Sequence, residues 1–153
     1  MRNWLQATGI FFLLGLTPAH ANEQPSDFFE RYAEYVKTFN RAVIQLYSND
    51  ALIHAYRVYP NKRTEKHMEF NGENWKRYLK QAMPFASLEN ETNTFSNVTV
   101  SEYNNGYIIK AHRYSIKKCY TDKNYYMVIN PDIYGSYEII EEYMEVDPTA
   151  RCQ

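Results

Sequence analysis

The chain has few of the residues from which recognisable sites are built: two cysteines, five glycines and six prolines in 153 residues. It contains no Gly-rich phosphate loop and no Gly-x-Ser-x-Gly elbow, so neither nucleotide-loop nor serine-hydrolase chemistry has its signature here. No HxH or HxxxH pair exists, and His54, His67 and His112 stand far apart, so no metal is expected, and no cofactor is implied. A net charge of −1 argues against a general affinity for nucleic acid or anionic membranes. The one basic run, at 61–66, contains a Glu and reads as a solvated loop. Heptads, internal repeats, low-complexity tracts and domain linkers are all missing, which leaves a single domain.

The only apolar run of note lies at the N-terminus. Arg2 precedes the apolar stretch 10–16, Pro18 follows, and Ala19-His20-Ala21 has the small-x-small pattern that signal peptidase reads. That run is far shorter than the roughly 20 residues a spanning helix needs. A signal peptide over 1–21 is therefore expected, cut near Ala21, with a periplasmic or secreted mature domain over 22–153 that has no membrane span. No cysteine follows the cut, which argues against a lipoprotein. Cys119 and Cys152 both survive it, and in an oxidising compartment a disulfide is the default for such a pair.

What the chain has in quantity is aromatic residues, with 15 Tyr and 8 Phe. From Thr94 to Val146 they alternate with β-branched residues as four consecutive strands. Asn104-Asn105-Gly106 is a strong hairpin signal. Further strands are expected at 107–120, 125–129 and 137–146, ended by the turns at 121–124 and 130–135 and by Asp147-Pro148. With no helix-length insertion between them, they form an antiparallel sheet. Alternation places Val98, Val100, Ile108, His112, Tyr114 and Ile116 on an inward face, with Ile140, Glu142, Met144 and Val146 inward on the last strand.

Ahead of the sheet, Asp27-Phe28-Phe29-Glu30 reads as a capping box. Phe28, Phe29, Tyr32, Val36, Phe39, Val43, Leu46 and Tyr47 then recur at spacings of three and four, predicting one amphipathic helix of about five turns. A turn at 47–50 leads to a strand at 51–59 with Leu52, His54, Tyr56 and Val58 on one side. A short strand at 67–70 and a second helix at 73–83, stopped by Pro84, complete an α+β plan.

Three stretches, LYSNDALIHAY, FNGENWKRYL and YGSYEIIEEYMEVD, give the chain a resemblance to the nuclear transport factor 2-like (NTF2-like) superfamily, and within it to the SnoaL-like branch. The resemblance spans Asp27 to Asp147. It implies a cone: a bent antiparallel sheet wrapped around a long N-terminal helix, the cystatin-like or NTF2-like roll, with a pocket at the open end and a tendency to pair through the sheet as a homodimer. Such proteins include isomerases, hydratases and polyketide cyclases, and many that catalyse nothing.

Candidate site residues follow from the inward face. His112 and Glu142 could meet as imidazole and carboxylate and move a proton beside a carbonyl; Asp50, near the turn, is a second candidate base. Each also has a structural reading, Glu142 as a charge satisfied by His112 or Lys110 and Asp50 as a turn residue. His54, Tyr56, Trp75, Tyr114 and Tyr126 are candidates to line a pocket for a small apolar or aromatic ligand, or else to form an aromatic core. The leading expectation is an exported, non-catalytic module that binds such a molecule, or a protein partner through the sheet. The alternative is an isomerase, cyclase or hydratase with a Glu or Asp base and His or Tyr donors.

Overall fold

The computed structural model describes residues 23–61 and 63–152; the leader expected at 1–21, and Lys62 of the basic run, lie outside them. Helix α1, Pro25–Lys37, starts with Pro25 in its first turn, where a missing N–H costs nothing. It buries Phe28, Phe29 and Tyr32. The expected five-turn helix is interrupted after Lys37, and its first turn begins before Asp27, which is therefore not the cap. Phe39 takes a left-handed φ of 55°, the Asn40 N–H donates back to the Tyr35 carbonyl, and the Asn40 side chain accepts from the Ala42 N–H to open a 3-10 helix, Arg41–Leu46. The apolar spacing runs unbroken across this kink, because Phe39 and Val43 still face inward, so periodicity alone could not reveal it.

Strand β1, Tyr47–Val58, follows at once, absorbing the expected turn, and pairs with β2, Thr64–Asn71. Helix α2, Gly72–Leu88, is capped by Asn71, whose side chain accepts from the Asn74 N–H. Gly72 is required by close approach: a Cβ there would lie 1.8 Å from the Ser48 carbonyl oxygen. Pro84 does not stop α2. It is exposed, and water can take the one carbonyl it leaves without a donor.

The meander comprises β3, Asn93–Tyr103; β4, Gly106–Ser115; a short β5, Tyr120–Asp122; β6, Tyr126–Pro131; and β7, Tyr137–Val146. The sheet order is β2-β1-β7-β6-β4-β3, with β5 against β4. The pairings within the meander are antiparallel as expected, whereas β1 lies parallel to β7. The β3–β4 hairpin also forms as expected, although its glycine is needed for another reason: Asn104 carries the positive φ, while a Cβ on Gly106 would meet the Ile129 carbonyl oxygen at 2.0 Å. The predicted strand 107–120 breaks into β4 and β5 around Cys119, whose φ is 48°. Cys119 is bonded to Cys152, tying the C-terminal tail to that break.

The face assignment is reversed on β4. Ile109, Ala111 and Arg113 point at the helices, and Ile108, His112 and Tyr114 lie on the outer face. The two-residue turn at Asn104-Asn105 sets the register: Tyr103 pairs with Gly106 and Val100 with Ile109, so Val98 and Val100 share a face with Ile109 rather than with Ile108. They stay half exposed because β3 is the edge strand. Nearer the start of β3 the register slips between Ser96 and Thr99, where Asn97 takes a φ of 52°, and this brings Phe95 opposite Arg113 on the same inner face. On β1 the buried residues are Ala51, Ile53 and Ala55, opposite the predicted side. The core lies between this inner face and α1, the 3-10 helix and α2, with Phe28, Ile53, Ile109, Met127, Ile129 and Ile139 at its centre.

Candidate functional site

The curl of the sheet and the kink after α1 leave a cavity of about 540 Å³ between the two helices and the inner face. Its inner end is walled by buried Tyr32, Val43, Tyr47, Trp75, Met83 and Glu142. Around the mouth stand exposed side chains from the end of α2 and the start of β3, among them Tyr78, Phe85, Glu89 and Glu91. The volume lies within the range of small-molecule sites, and the wall is largely apolar, with seven aromatic side chains.

Glu142 is the chemical centre of this cavity. Its side chain is 1% exposed. It is surrounded by phenols: the Tyr32 and Tyr125 hydroxyls donate to Oε1 and the Tyr47 hydroxyl to Oε2, each at 2.7 Å. A buried carboxylate without donors would cost several kcal/mol, and here three hydroxyls supply them. Burial, and then the charge of Glu142, push all three tyrosines well above the ordinary phenol range. These hydroxyls stay protonated and donate.

Beside the cavity lies a second buried charge system. The Arg113 guanidinium donates to the Glu145 carbonyl at 2.7 Å and to Asn93 Oδ1 at 3.2 Å. Its Nε stands 3.7 Å from Asp122 Oδ2, too far for a hydrogen bond. Asp122 is fully buried and accepts backbone N–H bonds from Asn124 and Glu145; burial nonetheless holds its carboxyl above the usual range. Arg113, Asn93 and Glu91 also border a second, polar groove of about 310 Å³ that includes Arg57, His67 and Lys118.

Of the residues singled out from sequence, Glu142 and Trp75 meet at the cavity. His112 is on the outer face, its Nδ1 2.9 Å from the Asn97 side-chain nitrogen, so the expected His112–Glu142 pair does not form. Asp50 is exposed near the start of β1, away from the cavity lining. His54 faces outward and approaches Glu69 at 3.2 Å. Tyr56 and Tyr126 flank Tyr143 in an outer-face aromatic ladder, with ring centroids 5.3 Å apart in both pairs. Tyr114 is also on the outer face. The register of the β3–β4 hairpin and the parity of β1 account for the placements on β4 and β1, because each decides which set of alternate side chains faces the helices.

Tyr32, Tyr47 and Tyr125 were not singled out. Tyr32 and Tyr47 belong to the helical apolar pattern, but nothing local marks a hydroxyl whose partner lies 110 or 95 residues away. Among the described residues no group of His, Cys, Asp and Glu could hold a metal ion.

No family model and no curated protein matches the chain by sequence. Among solved structures it is similar to an NTF2-like protein of unknown function from Pseudomonas putida, at 11% identity and TM-score 0.60 over 84% of this chain and 89% of that one. It is also similar to a candidate ketosteroid isomerase from Parabacteroides distasonis, at 13% identity and TM-score 0.55 over 86% and 95%. An NTF2-like protein with a cystatin-like fold from Novosphingobium aromaticivorans matches at 9% identity and TM-score 0.53 over 81% and 80%. The fold is NTF2-like.

Proposed function

We propose that this NTF2-like chain is an exported, non-catalytic module that holds a small, largely apolar or aromatic molecule in the cavity between its helices and its sheet. The observation that carries this reading is the state of Glu142. A general base works with a second group in the site that takes up or passes on the proton it removes. Here three phenols already donate to the carboxylate, and the other two proposed proton-transfer groups, His112 and Asp50, are not among the cavity residues. The aromatic wall is suited to binding, and the mouth is open to a ligand. Export rests on the leader pattern at 1–21; the Cys119–Cys152 bond suits an oxidising compartment.

The test is a thermal-shift and calorimetric screen of aromatic and alicyclic compounds against the protein and against Ala86→Trp, which puts an indole at the cavity edge. Binding that Ala86→Trp abolishes supports the reading; binding indifferent to it overturns the site.

One observation favours a second reading, an isomerase-type enzyme. A buried carboxylate with phenols beside a cavity is also the material of an acid–base site, with Tyr32 or Tyr47 as donors to a developing oxyanion. That reading requires deuterium uptake next to the carbonyl of a β,γ-unsaturated ketone in D2O, lost in Glu142→Gln. Uptake at the uncatalysed rate removes it.

A further inference from the structure

Glu142 has hydrogen bonds and no counter-charge. Among the described residues no Lys, Arg or His forms an ion pair with it, and its three partners are all neutral phenols. Of the other two buried acids, Asp122 has Arg113 beside it, and Glu145 accepts from the Asn124 side chain and the Tyr143 hydroxyl, outside the cavity lining. The Glu89 and Glu91 carboxylates at the mouth share Lys117. Arg113, the one cation in the cavity wall, is committed to Asp122, Asn93 and the Glu145 carbonyl, with its guanidinium over the Tyr125 ring. Glu142 thus presents a carboxylate with hydrogen bonds but no cationic partner at the inner end of a largely apolar chamber. Such a charge is costly unless something pairs with it.

Seven aromatic side chains stand in the wall around it. Tyr47 and Trp75 meet edge to face at 6.3 Å, and Trp75 stacks on Tyr78 at 5.3 Å. Phe39 and Phe95 complete the chamber from the kink and from β3. Aromatic faces carry negative electrostatic potential and attract cations, most strongly where water is excluded. A carboxylate also has about four acceptor positions, of which Tyr32, Tyr47 and Tyr125 take three, leaving one for an N–H donor.

We infer that the molecule held in this cavity is an organic cation, an amine whose ammonium group pairs with Glu142 while its apolar body lies against the aromatic wall. This rests on the cavity-binding reading above and narrows it from apolar molecules in general to protonated amines. A neutral ligand would leave the Glu142 charge unanswered, and an anionic one would be repelled by Glu142 and by the glutamates at the mouth.

Three probes with one skeleton decide it: phenethylamine, protonated at pH 7, with 2-phenylethanol and phenylacetate, titrated by calorimetry into the full chain, Ala86→Trp and Glu142→Gln. The expected result is that phenethylammonium binds at least about tenfold more tightly than the alcohol, and phenylacetate least well. In Glu142→Gln the preference falls to about threefold or less, by loss of ammonium affinity with alcohol affinity retained. If the alcohol or phenylacetate equals or exceeds the ammonium at a site that Ala86→Trp blocks, the amine inference falls and the cavity reading stands. A preference that survives intact in Glu142→Gln also overturns it. If none of the three binds, or Ala86→Trp changes nothing, both fall. Should Glu142→Gln not fold, the order of the three probes on the unaltered protein, with Ala86→Trp, still decides.

Discussion

Ile139 and Glu142 face the same side of the sheet although they are three residues apart on one strand. Ile139 pairs with Ile129 and Glu142 with Met127, two residues that share a face, because β7 carries one extra residue, Ile140, where its pairing with β6 slips. The slip allows β7 to contribute an apolar plug, Ile139, to the core and then aim a carboxylate at the cavity. Without it, one of the two would point outward.

Removing a phenol from Glu142 weakens the fold through the carboxylate that remains. Tyr32→Phe, Tyr47→Phe and Tyr125→Phe are each expected to lower stability by about 1–3 kcal/mol in urea titrations, the range for a hydrogen bond to a charged group. In a Glu142→Gln background the same substitutions should cost markedly less, because no charge is left stranded. Equal costs in the two backgrounds would show that the phenols act independently of Glu142.

Alkaline pH should unfold the protein through these tyrosines. Their folded-state pKa values are raised, so the neutral form is the one the fold holds. The stability this provides is fully present below the unfolded phenol value of about 10 and is lost as pH rises above it. Absorbance at 295 nm, followed alongside circular dichroism, should show a final group of tyrosines ionising only as the fold is lost. Ionisation of every tyrosine before any loss of structure would contradict the buried triad.

The Cys119–Cys152 bond closes a loop of 33 residues. Chain entropy assigns such a loop roughly 3–4 kcal/mol. Cys119→Ala with Cys152→Ala should lower the denaturation midpoint in oxidising buffer accordingly, and dithiothreitol should do the same to the unaltered protein. No change in either experiment would mean that the bond does not staple the tail.

Arg113→Met leaves Asp122 buried without its cation and is expected to cost about 3–5 kcal/mol at pH 7. The Asp122 carboxyl is already held high by burial and rises further in the variant. A raised carboxyl contributes stability that is present below its unfolded value, about 3.9, and lost as pH rises through the folded one. The penalty should therefore be smallest near pH 4 and grow toward neutrality, as denaturant titrations at both pH values would show. A cost independent of pH would assign the effect to packing alone.

The elements legible in the sequence are those set by local chemistry. Asn104-Asn105-Gly106 marked the hairpin, Asp147 marked the end of β7, and a pair of cysteines, read with the expected leader, marked the disulfide. The aromatic stripe from Phe28 to Tyr47 correctly located the inner layer. It could not show that the helix kinks at Phe39, since both halves present the same face. Trp75 could be picked as a cavity residue because it sits on the apolar side of α2, and Glu142 because it lies beyond the bulge at Ile140, where the expected alternation of β7 holds. His54, Tyr56, His112, Tyr114 and Tyr126 could not be placed, because which alternate set of β1, β4 and β6 faces the helices is settled only when the strands pair.

By itself, then, the amino-acid order determined the hairpin turn at Asn104-Asn105, the α+β succession of elements, and that aromatic residues would fill the interior, since each follows from neighbours within a few positions. Only the tertiary structure decided which face of each strand looks inward and that Glu142 would be ringed by Tyr32, Tyr47 and Tyr125. A single bulged residue at Asn97 or Ile140 reverses the parity of everything beyond it, and hydroxyls separated from their acceptor by 95 or 110 residues meet it only once the sheet has curled.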